Sequence, residues 1–100
     1  MAKGLSGLLE IHEKIKTLRM FKKINVETVA KQLNMSKSAY YSRENGRVIL
    51  NVKELFKLCQ IFGVSPSIIF TNCKDKDEFL SLIRYEYFVK NVLSGEVHEC

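Results

Sequence analysis

Side chains that can donate or accept hydrogen bonds are concentrated between residues 35 and 47, in the stretch MSKSAYYSRENGR. Lysine and arginine donate hydrogen bonds and carry positive charge, serine both donates and accepts, and tyrosine adds a flat ring with a polar end. The stretch is too polar for a core. Its chemistry is that of binding a polar or anionic surface by hydrogen bonds and charge.

The rest of the chain offers little for catalysis. The two histidines, His12 and His98, lie near opposite ends, and neither a nucleophile–base pairing nor a glycine-rich phosphate cradle is present. The three cysteines, Cys59, Cys73 and Cys100, are odd in number and form no C-x-x-C motif, which argues against a disulfide framework and a structural zinc site. We therefore expect a protein that is not an enzyme and needs no metal ion or cofactor.

The charge of the chain is uneven. Residues 1–53 hold eleven lysines and arginines against four acidic residues, a balance of +7, and the remainder has a balance of −2. This favours a first half that faces a polyanion and a second half with another role; basic faces that meet only water are the alternative. No apolar stretch approaches the length of a membrane span and no secretory pattern opens the chain, so we expect a cytoplasmic protein without a membrane partner.

Apolar spacing and punctuation residues predict an all-α domain. A helical period runs through residues 8–22, and a sixth helix extends from about residue 77 to 93, opened by Asp75 or Asp77. Between them, four helices are marked by residues that favour helix starts or stops, namely Asn25, Asn34, Ser36, Asn45-Gly46, Asn51, Gly63 and Ser65-Pro66.

The second and third helices meet the requirements of a helix-turn-helix. Ala30 is small enough for a helix crossing, and Asn34 tolerates the positive φ that begins the turn. Four apolar residues can lock the pair, namely Val29, Leu33, Met35 and Tyr40. We expect Ala39 and Tyr40 to face the core, and the opposite edge of the third helix to enter a groove; this edge carries Lys37, Ser38, Tyr41 and Ser42.

Residues 11–70 resemble the Cro/repressor-type helix-turn-helix family, also called the xenobiotic-response-element family. The matching motifs are I-x-x-L-R at 15–19, V-A-K-Q-L at 29–33, M-S-K-S at 35–38, E-N-G at 44–46 and L-C-Q-I-F-G-V-S at 58–65. The resemblance implies a five-helix lambda-repressor-like DNA-binding domain at residues 8–70. After this domain we expect a C-terminal helix at 75–94 for packing or dimerisation, and then a frayed tail at 95–100.

The resemblance also implies roles for individual residues. Arg19 would pair with Glu44 as a clamp between the first helix and the end of the recognition helix. Base-reading positions would be Lys37, Ser38 and Ser42, with Tyr41 nearby, and phosphate contacts would come from Asn25, Lys31, Ser36, Arg43, Asn45 and Arg47, with the backbone N–H groups around Asn45. Three residues depart from the family pattern: Val26 replaces a phosphate-contacting Gln, Arg43 replaces an apolar residue, and Lys23 replaces a Gly.

The last helix carries more apolar surface than one flank of a small domain needs. We expect it either to pack across the domain or to form a dimer through Phe79, Leu82, Ile83, Tyr87 and Phe88. The leading interpretation is a sequence-specific transcriptional regulator that binds a palindromic operator in double-stranded DNA as a homodimer. Alternatives are an antitoxin that covers a toxin with its C-terminal helix, a controller protein of a restriction–modification system, and a protein-only interaction module.

Overall fold

The computed structural model describes residues 7–93, with only the backbone of residue 93. In this part the chain forms α1 (Ile11–Phe21), α2 (Val26–Gln32), α3 (Lys37–Glu44), α4 (Val52–Phe62), α5 (Pro66–Phe70) and α6 (Lys76–Phe88), followed by a π-helix (Val89–Leu93). The prediction of an all-α fold with six helices is confirmed. The tail expected at 95–100, with His98 and Cys100, lies outside the described residues. None of the described helices combines the length and apolar content that crossing a bilayer requires.

Side-chain caps set the start of four helices. The side chains of Asn25, Ser36, Asn51 and Asp75 each accept a hydrogen bond from the backbone N–H three residues later, at 2.8, 3.1, 2.8 and 2.9 Å. These bonds satisfy N–H groups that have no partner inside the helix. Asp75 is therefore the residue that opens α6, and the helix begins before the expected residue 77.

The first helix begins later than its apolar period suggests. Glu10 is its N-cap, and the backbone N–H of Glu10 donates to Glu13 Oε1 at 2.9 Å in a capping box. The predicted start at Leu8 is wrong, because Leu8 and Leu9 precede the helix. Leu9 donates its backbone N–H to the carbonyl of Cys73 at 2.8 Å, which holds this segment against the start of α6.

The core is built around α1, which contacts α3, α4, α5 and α6. Ile15 and Leu18 on α1 are fully buried. Lys14 is also buried, and its Nζ donates to the carbonyls of Ile69 at 2.7 Å and Thr71 at 2.6 Å, so it holds the end of α5 against α1. Burial lowers the pKa of Lys14 below its ordinary value.

The sixth helix packs across the domain with its first half. Phe79 and Ile83 are buried in the core of the monomer. Their burial agrees with the expected packing across the domain, whereas the dimer contact expected through the same two residues would require this part of the domain to unpack. Leu82 is half-buried, and Tyr87 and Phe88 are exposed. The regular α-helix ends at Phe88, five residues before the expected end, where the π-helix takes over.

Candidate nucleic-acid interface

The turn between α2 and α3 has the conformation that its sequence predicts. Asn34 has φ of +58°, and its N–H donates to the carbonyl of Lys31 at 3.0 Å. The N–H of Met35 donates to the carbonyl of Ala30 at 3.0 Å. Val29 and Ala30 are buried, so the small side chain of Ala30 lies inside the helix pair. The turn therefore fixes where α3 starts relative to α2.

The inner side of α3 is held by a buried polar network. Arg19 donates from Nε to Glu44 Oε2 at 2.7 Å and from Nη2 to Glu44 Oε1 at 3.1 Å. The hydroxyl of Tyr40 donates to the same Oε2 at 2.7 Å. Tyr40 and Glu44 are buried, and Arg19 also donates to the carbonyl of Ile24 at 3.0 Å. The network ties the last turn of α3 to α1 and to the segment before α2.

The network shifts the protonation equilibria of its members. The hydrogen bond to Glu44 raises the pKa of Arg19, which stays cationic. Burial, and then the hydrogen bond to Glu44, raises the pKa of Tyr40. The sequence placed Tyr40 in the core but did not predict its bond to Glu44. The available signal was their spacing of four residues, which puts both side chains on one face of a helix.

The outer side of α3 points away from the core. Lys37, Ser38 and Tyr41 are exposed, and the polar atoms of their side chains make no hydrogen bond or ion pair within residues 7–93. Ser42 is half-buried and donates its hydroxyl to the carbonyl of Ser38 at 3.2 Å. In that orientation Ser42 offers a ligand only the acceptor lone pairs of its oxygen. Donors, acceptors and a ring thus line one edge of a helix whose other edge is fixed.

The family model for helix-turn-helix domains matches residues 15–69, more than half of the chain. The chain belongs to the helix-turn-helix family. It carries a DNA-binding domain of the Cro/repressor type, and its helical architecture agrees with a lambda-repressor-like fold followed by a C-terminal helix. Members of this family are DNA-binding transcription regulators. Neither a search of curated proteins nor a search of solved structures gave a match.

Two expected phosphate contacts of this helix-turn-helix domain already serve as caps. Asn25 and Ser36 use their side-chain oxygens on the N–H groups of Thr28 and Ala39. The amide nitrogen of Asn25 and the hydroxyl hydrogen of Ser36 remain able to donate. Lys31 and Arg47 are exposed and make no ion pair within the described chain. Both cations stay available for a polyanion beside α3.

Arg43, unlike these two cations, is bonded to other residues of the domain. Its Nε lies 3.2 Å from each carboxylate oxygen of Glu54 on α4, and its Nη1 donates to the carbonyl of Ala39 at 2.9 Å. Arg43 therefore forms a bridge between α3 and α4, and the phosphate contact expected from it stays a prediction. The prediction missed Glu54 because the partner lies in another helix, and only packing brings the two together.

The backbone N–H groups around Asn45 are also occupied. Those of Asn45 and Gly46 donate to the carbonyls of Tyr41 and Arg43 at 2.9 and 3.2 Å, and that of Arg47 donates to Ser42 at 2.9 Å. The expected anion contact by these groups is wrong, because they close the end of α3. The exposed side chain of Asn45 remains a candidate. Gly46, at φ of +81°, lets the ring of His12 approach so closely that a Cβ would lie 2.8 Å from it.

Proposed function

We propose that this helix-turn-helix protein recognises a specific palindromic operator in double-stranded DNA as a homodimer and controls transcription from it. The observation that carries the proposal is the contrast between the two sides of α3. Arg19 and Tyr40 hold the inner side through Glu44. The side chains of Lys37, Ser38 and Tyr41 on the outer side make no hydrogen bond or ion pair to the described part of the chain. Because the inner side of α3 is already fixed before binding, placing its outer side in a groove would order few additional side chains.

The outer residues suit base edges in the major groove. Lys37 can donate to O6 and N7 of guanine, Ser38 can donate or accept, and the ring of Tyr41 can contact a thymine methyl group. Lys31, Arg47 and the side chain of Asn45 would position the domain on phosphates. Asn25 and Ser36, as helix caps, would contribute their remaining donors to the same backbone.

A dimer supplies the specificity that one recognition helix lacks. One α3 can contact only a few base pairs, whereas two copies related by a two-fold axis read two half-sites about 34 Å apart. The operator would then be an inverted repeat. Whether transcription falls or rises depends on where that repeat lies relative to a promoter.

Selection of bound duplexes from a random pool, at a stated salt concentration, tests the proposal. We expect an inverted repeat whose half-site centres are about 10 base pairs apart, and a log–log salt slope of about −0.9 per phosphate contact. Lys57→Ala is a control, because Lys57 is exposed on α4 and outside the proposed interface. A pool without any enriched sequence, with binding that ignores salt, would contradict the proposal and favour a protein-only module.

The exposed end of α6 favours a second candidate function. Tyr85, Tyr87 and Phe88 on α6 are 65, 64 and 47% exposed, and Val92 in the π-helix that follows is 51% exposed. Aromatic residues in such numbers are typical of surfaces that bind another protein. An antitoxin would bind its toxin with this surface and its operator with α3. A neighbouring reading frame whose product co-purifies with the wild-type chain, and not with Phe88→Asp, would support this candidate.

A further inference from the structure

The connection between α3 and α4 presents apolar side chains to the outside. Ile49 is 89% exposed, Val48 is 39% exposed, and Phe70 at the end of α5 is 56% exposed. Ile49 is the most exposed of the large hydrophobic residues in the described chain. Such a branched side chain at the tip of a short connection contributes nothing to the core of its own domain. In the monomer this side chain protrudes into solvent.

A groove of about 600 Å³ lies beside Ile49, which forms part of its wall together with Val48 and Phe70. Its walls come from the segment before α1, from α1, from the α3–α4 connection and from α5, and its apolar lining includes Leu8, Ile11, Leu50, Leu55 and Ile69. The buried Nζ of Lys14 borders the groove but is held by the carbonyls of Ile69 and Thr71. The groove thus offers mainly apolar contacts.

We propose that two copies of this chain pair through this face, with Ile49 of each copy in the groove of the other. The inference deepens the proposed function by naming the surface that forms the dimer. A two-fold interface uses the same patch on both chains, so the patch must contain both a protruding group and a recess that fits it. Here the two lie side by side. The face named here consists of Val48, Ile49, Phe70 and the groove walls.

Charge on the rim of the face agrees with self-pairing. Glu10 lines the groove and its side chain is 50% exposed, and Arg47 is exposed beside Val48. In the dimer without DNA, one anion and one cation on a two-fold patch can meet across the axis, Arg47 of one chain against Glu10 of the other; on DNA, Arg47 would exchange this carboxylate for a phosphate. A partner of uniform charge would meet one repulsive contact on the same rim. The charges therefore favour a second copy over an acidic or a basic peptide.

The position of the face also suits a DNA-binding dimer. The N–H groups of Arg47 and Val48 donate to the carbonyl of Ser42 on α3, at 2.9 and 3.1 Å, so the connection is fastened to the recognition helix. Pairing through this face would set the distance between the two α3 helices directly, because only the short α3–α4 connection separates each recognition helix from the interface. The exposed end of α6 lies elsewhere: Arg84 stacks over Phe21 at the end of α1. That surface then stays open for another protein.

Sedimentation equilibrium without DNA tests the inference with a matched pair of variants of the full chain. Ile49→Asp places a charge in the proposed interface, and Phe88→Asp places the same charge on α6. Both side chains are exposed in the monomer, so circular dichroism should show an unchanged fold. We expect Ile49→Asp to weaken the dimer by about 30-fold or more, the range of an interface hot spot, and Phe88→Asp to leave it unchanged.

Three results would overturn the inference. The first is dimerisation of Ile49→Asp as strong as that of the wild type, and the second is dissociation of the dimer by Phe88→Asp alone, which would assign the interface to the α6 surface. The third is a wild-type chain that stays monomeric at the concentrations that bind DNA, which would favour another protein as the occupant of the groove. Gel-shift binding to a single half-site separates this inference from the proposed function. Ile49→Asp should keep half-site binding and lose only the two-site complex, whereas a dimer that binds no DNA contradicts the function alone.

Discussion

The guanidinium of Arg19 on α1 and the carboxylate of Glu44 on α3 form a double hydrogen bond, with Nε and Oε2 at 2.7 Å and Nη2 and Oε1 at 3.1 Å. Glu44 is 2% exposed, so the carboxylate has almost no water to replace a lost partner. Tyr40 supplies the third bond to the same carboxylate. The end of the recognition helix is therefore positioned by a buried ionic contact as well as by apolar packing.

Breaking this pair from one side should cost more than removing it whole. Glu44→Ala leaves the Arg19 charge and the Tyr40 hydroxyl without their partner, and we expect a loss of about 3–5 kcal/mol in the free energy of unfolding. Adding Arg19→Met removes the stranded charge and should recover part of that loss. Urea unfolding at pH 7 measures both values. Equal losses in the single and double variants would show that the contact does not act as a clamp.

Much of the helix-turn-helix could be predicted from the sequence because its boundaries depend on local chemistry. Asn25, Ser36 and Asn51 cap their helices with their own side chains, and Asn34 takes the positive φ that few residues tolerate. These interactions span three residues or fewer. Sequence spacing is then sufficient to place them.

Most of the differences between expectation and structure concern interactions whose partners are distant in sequence. Arg43 can reach a phosphate or a carboxylate, and only the fold, in which α4 packs against α1 and α2, brings Glu54 within 3.2 Å. The apolar period of α6 predicted a helix, but the period alone does not say which stripe meets α1. Phe79 and Ile83 occupy that stripe and are buried in the monomer. Glu10 was missed as a cap because glutamate is not among the residues that usually cap a helix.

Tyr40→Phe should change how the stability depends on pH. Burial and the bond to Glu44 raise the pKa of Tyr40 above its ordinary value near 10. The folded state thus keeps a proton that the unfolded chain loses above about pH 10, so this residue stabilises the fold below that pH and the contribution falls as pH rises. We expect the variant to lose about 1.5–3 kcal/mol at pH 7, as for a hydrogen bond to a charged group. In urea unfolding, the difference from wild type should shrink above about pH 10; a constant difference would contradict the cause given.

Arg43 and Arg47 should affect different properties although they lie in neighbouring parts of the chain. Arg43→Ala breaks the bridge to Glu54, so we expect a loss of about 1 kcal/mol in stability and an unchanged salt slope of DNA binding. Arg47→Ala removes an exposed cation, so stability should stay within about 0.5 kcal/mol of wild type and the slope should fall by about 0.9. Urea unfolding and binding titrations across a salt series measure both. A reduced slope for Arg43→Ala would mean that its guanidinium leaves Glu54 for a phosphate.

Lys37 and Lys31 form a second matched pair, since each replacement by alanine removes one exposed positive charge. Lys37→Ala should alter the preferred base at one or two positions of each half-site, with a discrimination of about 1–3 kcal/mol lost there. Lys31→Ala should weaken binding to all duplexes alike and reduce the salt slope. Repeating the duplex selection with both variants distinguishes the roles. An unchanged preference in Lys37→Ala would remove it from the base-reading set.

Lys23→Gly should stabilise the protein. Lys23 follows the end of α1 with φ of +58°, a conformation in which a Cβ is crowded and which costs about 1 kcal/mol or more for a residue other than glycine. Glycine relieves that cost but gains freedom in the unfolded chain, so we expect a net gain of up to about 1 kcal/mol. Lys22→Gly is the control: Lys22 has φ of −82°, where glycine brings only the entropic penalty, and this variant should lose stability. If urea unfolding shows both variants equally destabilised, the strain at Lys23 is too small to matter, and the left-handed residue is held there without cost by the bond from its N–H to the carbonyl of Met20 at 3.1 Å.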